Sequence, residues 1–207
     1  MLLIGGIPVT MILASTWLWY FVVHGDLDLR AALGTANRGT LVEPPRQIGD
    51  YQLHDRLGRS AELVGVSPRW TIVVPGAGGR CAEACERSLY ETRQIHVAMG
   101  RDIDRLRRLY VSEYSLDNTT LTVSMLSDGR PAPGGSFAGY LENQHRGLQA
   151  FTLSAPDYRA LFPEHAADRS NWYLVDPAGW VMMSYNGGVS YKDVITDLKF
   201  LLKNSGG

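Results

Sequence analysis

The order of apolar runs along this chain predicts an α/β fold, a central mixed sheet flanked by helices, set behind an N-terminal transmembrane helix. Three observations carry that expectation. Residues 1–23 hold no charged side chain, and roughly 20 apolar residues suffice to span a hydrocarbon core of ~30 Å. Trp70-Thr-Ile-Val-Val74 is a nearly continuous, β-branched apolar run, the pattern of a strand covered on both faces. The last third holds two aromatic-rich runs around Asp176-Pro-Ala-Gly179 and then a helical stripe, a hairpin with a helix to cover it.

From the N-terminus, Trp17, Trp19 and Tyr20 cluster near the end of the apolar run, where amphipathic rings favour a membrane interface. No basic segment precedes the run and it continues past Ala14-Ser15-Thr16, which favours an anchor over a cleaved signal peptide. Residues 24–47 mix Gly, Asp, Arg and Pro without an apolar period and end in Glu43-Pro44-Pro45-Arg46, the composition of a linker. Residues 48–207 then have the length of one domain.

Tyr51-Gln-Leu53 and Leu63-Val-Gly-Val66, with Asp55-Arg-Leu-Gly58 between them, predict a short hairpin. The Trp70–Val74 strand is broken by Pro75 and Gly76-Ala-Gly-Gly79. Residues 81–99 carry Leu89, Ile95 and Met99 among polar neighbours, a helix with one buried stripe. Residues 106–114 and 148–153 predict further strands, residues 136–146 a short helix, and Pro156 to Leu161 a helical turn. Asn171–Val175 and Trp180–Tyr185 form the closing hairpin, because Pro presets φ and Gly tolerates the left-handed end of the turn. Ser190, with Asp193 three residues on, caps a final helix whose apolar face is Val194, Leu198, Leu201 and Leu202. This order of elements is that of a thioredoxin-like domain.

The formal net charge is −1, with 20 Lys and Arg against 21 Asp and Glu, so no basic field suggests nucleic acid. The one charge run, Arg101-Asp-Ile-Asp-Arg-Leu-Arg-Arg108, mixes both signs and reads as a solvated helix end or loop. Gly76-Ala-Gly-Gly79 lacks the Gly-Lys-Ser/Thr that makes a phosphate-binding loop and reads as a tight strand-to-helix turn. His24, His54, His96 and His145 are scattered, and Trp172, Tyr173, Trp180 and Tyr185 fall at strand spacing as core residues.

The chemistry is concentrated in Cys81 and Cys85, the only two cysteines of 207 residues. Read at the start of a helix, residues four apart share a face with Cβ atoms about 5–6 Å apart. A disulfide wants about 3.8 Å, so a bridge needs a modest distortion of the first turn. The helix N-terminus and Arg80 favour a thiolate at Cys81, while Glu83 and Glu86 oppose it. Cys81 is then the nucleophile and Cys85 the resolving thiol. Two thiolates also suit Cu(I), whereas Cu(II) wants a harder third ligand. An inert role, as a permanent bridge or as two packed thiols, remains the third alternative. A single anchor before a cysteine pair places the domain on the oxidising side of the membrane.

The motif Tyr51-x-Leu53-x-Asp55-x-x-Gly58-x-x-x-x-Leu63, then Trp70–Val74, then Cys81-x-x-x-Cys85 resembles the Sco/SenC family, as do Tyr173–Gly179 and the final helix. The likeness covers most of residues 48–205. It implies a single-pass inner-membrane protein facing the periplasm, a thioredoxin-like domain, and a role in cytochrome c oxidase assembly with an oxidase subunit or assembly factor as partner. It also implies copper held by the two cysteines and a histidine just before the closing hairpin. That histidine is absent: Asp168 or Arg169 stands at the position, and His165, three or four residues away, is the candidate third ligand only through a remodelled loop. The functional expectation is thiol–disulfide exchange or Cu(I) handling through Cys81 and Cys85. The alternative is a non-catalytic scaffold that uses the fold as a docking surface.

Overall fold

The structure, a computed structural model, describes residues 2–23, 37–62 and 68–204. It divides into two compact units, residues 1–37 and 38–207. In the first, Leu2–Val23 forms helix α1, with Pro8 inside it. The hydroxyls of Thr10 and Thr16 donate to the carbonyls of Ile7 and Ile12 at 2.9 and 2.7 Å, so both are satisfied within the helix. Among the described residues no helix is long and apolar enough to cross a membrane.

The second unit is built on an eight-stranded sheet in the order β1 (Thr40–Gln47), β10 (Trp180–Tyr185), β9 (Trp172–Val175), β4 (Trp70–Gly76), β6 (Leu106–Ser112), β8 (Leu148–Thr152), β2 (Leu53–His54), β3 (Ser60–Ala61). Its centre is β4 (Trp70–Gly76), every residue of which is buried, as a continuous apolar run requires. β4 runs parallel to β6 (Leu106–Ser112), which runs parallel to β8 (Leu148–Thr152). On its other side β4 pairs antiparallel with β9 (Trp172–Val175), and β9 with β10 (Trp180–Tyr185). The mixed α/β sheet and the closing hairpin agree with the sequence reading.

Side-chain alternation along these strands divides the core in two. Trp70, Ile72, Val74, Leu106, Tyr110, Trp172 and Leu174 face one layer, built from α2 (Glu83–Ala98), α3 (Phe137–Gln144) and α6 (Tyr191–Asn204). Val73, Leu109, Val111, Tyr173 and Val175 face the other, which holds α4 (Ala155–Leu161) and, directly after it, α5 (Pro163–Ala167).

Several expectations are corrected. The linker 24–47 does not extend to residue 47: Thr40–Gln47 is strand β1, antiparallel to β10. Pro44 and Pro45 mislead as breakers because β1 is an edge strand, and its register shifts between Leu41 and Arg46, where the ladder needs no donor. The 51–66 hairpin returns at once, β2 (Leu53–His54) pairing with β3 (Ser60–Ala61); its expected return strand at 63–66 lies outside the described residues. The mixed charge run divides, with Gly100–Arg105 a partly exposed 3-10 turn and Arg108 wholly inside the core. Trp180, expected in the core, is 42% exposed. Cys81 precedes the helix rather than opening it, because α2 starts at Glu83.

Candidate functional site

β4 ends at Gly76, where a Cβ would collide with the Tyr110 hydroxyl, so only glycine lets the chain pass this ring. Gly78 and Gly79 follow at φ +70° and +64°, the left-handed region open to glycine without strain. Their turn delivers Arg80–Cys81 as β5, a two-residue strand parallel to β7 (Thr120–Leu121). The Thr120 amide donates to Gly79 O at 3.0 Å and the Thr122 amide to Cys81 O at 3.0 Å, with the Thr122 hydroxyl on the same carbonyl at 3.3 Å. Ala82 is the N-cap of α2, which places Cys85 in the first turn.

Cys81 and Cys85 form a disulfide with Cα atoms 5.1 Å apart. Because Cys81 sits on a strand, the helical four-residue spacing, and the distortion inferred from it, do not apply. Cys81 is completely buried and Cys85 partly exposed.

Next to Cys85 in sequence, Glu86 is 3% exposed. Its carboxylate accepts from the Ser127 amide at 3.1 Å and from the Ser127 hydroxyl, and the Tyr140 hydroxyl lies at 3.5 Å. Tyr140 in turn meets His145 Nε2 at 3.0 Å. Glu86 thereby pins residues 122–127 to the first turn of α2, and a groove of about 490 Å³ lies between them, lined by Glu83, Glu86 and residues 122–127. Further along α2, Arg108 donates to Leu89 O at 2.8 Å and to the Thr92 hydroxyl at 3.1 Å. Burial, with Arg93 nearby, lowers Arg108 to about 9, and burial, with Arg108 and Arg93 nearby, lowers His145 to about 3. Arg108 Nε and His145 Nδ1 are buried without a hydrogen-bond partner among the described residues.

The structure does not bring His165 to the cysteines. His165 is 2% exposed in α5 and bonds through Nδ1 to the Tyr158 hydroxyl at 2.9 Å, while its amide donates to the Tyr173 hydroxyl at 3.1 Å. Tyr158 and Tyr173 belong to the core on the far side of the sheet from the disulfide. Burial, with Arg169 nearby, lowers His165 to about 4. The loop at 168–171, where the resemblance places a ligand, is closed on itself. Asp168 Oδ1 accepts from the Ser170 amide and hydroxyl at 2.9 and 2.7 Å, and Ser170 Oγ accepts from the Gly187 amide at 3.1 Å. Ser170 O accepts from the Ser88 hydroxyl of α2 at 3.3 Å.

Among the described residues no group of three or more His, Cys, Asp or Glu is placed to hold a metal. The donors present fit a two-coordinate soft ion and do not fit Cu(II). His96 Nε2 meets Leu106 O at 3.0 Å, and His24 lies outside the described residues. Sequence reasoning missed Glu86, Tyr140 and Arg108. The available signal was an acidic residue in the first turn of a helix directly after Cys85, read there only as a charge beside a thiolate.

Comparison with known proteins gives three findings. The family model described as transmembrane-like, thioredoxin-like, C-terminal domain matches residues 70–129 and 133–205. No curated protein matches the sequence. Among solved structures, yeast Sco1 with copper bound has a TM-score of 0.54 at 16% identity, over 84% of this chain and 97% of that one. Copper-bound ScoI of Arabidopsis thaliana follows at 0.52 and 12%, over 80% and 98%. A thiol:disulfide interchange protein from Bacteroides sp. scores 0.50 at 12%, over 83% and 94%. At these identities the likeness is one of fold.

Proposed function

The chain belongs to the transmembrane-like, thioredoxin-like, C-terminal domain family, and on that premise we propose that it is a membrane-anchored, Sco-like thiol–disulfide exchange protein acting in cytochrome c oxidase assembly. Its partner would be an oxidase subunit or assembly factor, and its domain would face the periplasm from the inner membrane. The observation that carries the reading is the Cys81–Cys85 disulfide, which joins a strand end to the first turn of α2 with one member partly exposed. A four-residue loop gains little from closure entropy, so stabilisation alone is a poor reason for such a bridge. The helix N-terminus favours negative charge on a released Cys85 sulfur.

The anchor is supported by α1. Its 22 residues reach about 33 Å at 1.5 Å per residue, and the sequence of residues 1–23 carries no charge. Nine of those helical residues (2–6, 18 and 21–23) have side chains outside the described set, so the span is read from sequence. Ile7, Val9, Met11, Ile12 and Leu13 are all more than half exposed, and a helix apolar on every side suits lipid.

Exchange is tested by reducing a disulfide-bonded model protein with the pre-reduced chain. Turnover that vanishes in Cys81→Ser and in Cys85→Ser supports the reading. Turnover unaffected by either substitution makes the chain a scaffold. Cu(I) as cargo is a second reading, favoured by two soft sulfurs side by side and by the copper bound to the Sco1 and ScoI relatives. A Cu(I) titration of the reduced protein against a chelator measures it; one equivalent lost with Cys81→Ser supports carriage, and no binding excludes it.

A further inference from the structure

We infer that exchange begins at the sulfur of Cys85 and that Cys81 is the resolving and leaving sulfur, the reverse of the order expected from a helix-opening Cys81. This rests on the exchange reading above. Cys81 is 0% exposed and packs in the apolar cluster with Val74, Leu89 and Phe137. It is also held at its backbone, because its carbonyl accepts both the amide and the hydroxyl of Thr122. The segment that follows Thr122 is fastened in turn by Glu86 through the Ser127 amide and hydroxyl. Attack on Cys81 would require this segment to lift and a core side chain to leave its cluster. Attack on Cys85 requires neither, since Cys85 packs against that cluster only as a partly buried residue, in a helical turn whose preceding residues Ala82 and Glu83 are both exposed.

The step balances without any further reactant. A thiol of the partner dithiol loses its proton, and its sulfur forms a bond to Cys85 Sγ. The Cys81–Cys85 bond breaks, its electron pair leaves on Cys81, and Cys81 takes up the proton released. The partner's second thiol then attacks its own sulfur in the mixed disulfide and expels Cys85 as a thiol. The partner leaves oxidised by two electrons and the protein carries the dithiol. In the opposite direction Cys85 attacks a partner disulfide and Cys81 closes the bridge, so the mixed disulfide is borne on Cys85 either way.

The test uses the full chain in detergent micelles, reduced and freed of reductant, then given a brief, limiting dose of iodoacetamide and mapped by mass spectrometry. This needs no substitution. Labelling of Cys85 about tenfold or more above Cys81 is expected, since accessible thiols react and buried ones do not. As a second measurement, glutathione disulfide should form a mixed disulfide with Cys81→Ser, which keeps Cys85, about tenfold faster than with Cys85→Ser. Equal labelling, or Cys81 labelled first, overturns the inference and leaves the exchange reading intact. If neither cysteine labels until denaturant is added, both are overturned.

Discussion

The Cys81–Cys85 disulfide and His165 lie against opposite faces of one sheet, and different chemistry holds each in place. The disulfide face is closed by apolar packing around Cys81, with a polar chain of Ser127, Glu86, Tyr140 and His145 running past Cys85. On the far face the polar groups around His165 bond to one another: Tyr158 takes His165 Nδ1, and Tyr173 both accepts from the His165 amide and donates to Glu164 Oε2 at 3.0 Å. Glu164 is paired in turn with Arg46 at 2.8 Å. A potential ligand whose hydrogen bonds are used up in a core is a structural residue, whatever its distance along the chain from a cysteine. A cysteine left partly exposed at a helix start is available for chemistry.

The sharpest test of this contrast replaces one member from each face. Cys85→Ser should lower the rate of thiol exchange by more than about a hundredfold, a change of roughly 3 kcal/mol in transition-state terms. His165→Gln should leave that rate unchanged and lower the melting temperature instead. If His165→Gln abolished exchange or copper binding, the division between faces would be broken.

Acidification should be the next largest effect. The folded-state values of His165 and His145, about 4 and about 3, lie below the ordinary value of 6.5, chiefly through burial. The unfolded chain therefore binds more protons, and stability falls with pH in that window. The contribution is fully present above pH 6.5 and is lost as pH falls through 4 and then 3. At about 1.4 kcal/mol per unit of depression, His165 alone accounts for on the order of 3 kcal/mol. Calorimetry between pH 7 and pH 4 should show this slope, reduced by about one proton in His165→Gln. An unchanged slope in the variant would contradict the burial assigned to His165.

Tyr173→Phe removes the hydroxyl shared by Glu164 and the His165 amide. It should cost about 1–3 kcal/mol of unfolding free energy with no effect on exchange. Smallest is Gly78→Ala, which meets no neighbouring atom but requires φ +70°. Denaturant titration should show about 1 kcal/mol lost to backbone strain.

Elements with one dominant signal were legible in the sequence. Trp70–Val74 announced a central strand because both of its faces are covered, and Asp176-Pro-Ala-Gly179 announced its turn because Pro and Gly restrict the backbone. What was hidden depends on contacts distant in sequence. β1 is a strand only because β10 offers it an edge that tolerates Pro44 and Pro45. Arg108 reads as the end of a charge run, yet its strand register turns it onto Leu89 and Thr92. The cysteine pair itself was evident, but its polarity was not. Which cysteine is left partly exposed follows from β7 pairing with β5, a contact between residues some forty positions apart.

One measurement tests the exchange account most directly: the reduction potential of the Cys81–Cys85 pair in the folded chain, equilibrated in glutathione buffers and read by alkylation. The account predicts one reversible two-electron transition within the range of exchange proteins, about −270 to −120 mV, with the fold retained on both sides. A pair that stays oxidised below about −300 mV, or that is reduced only as the domain unfolds, would contradict it and make the bridge a structural one.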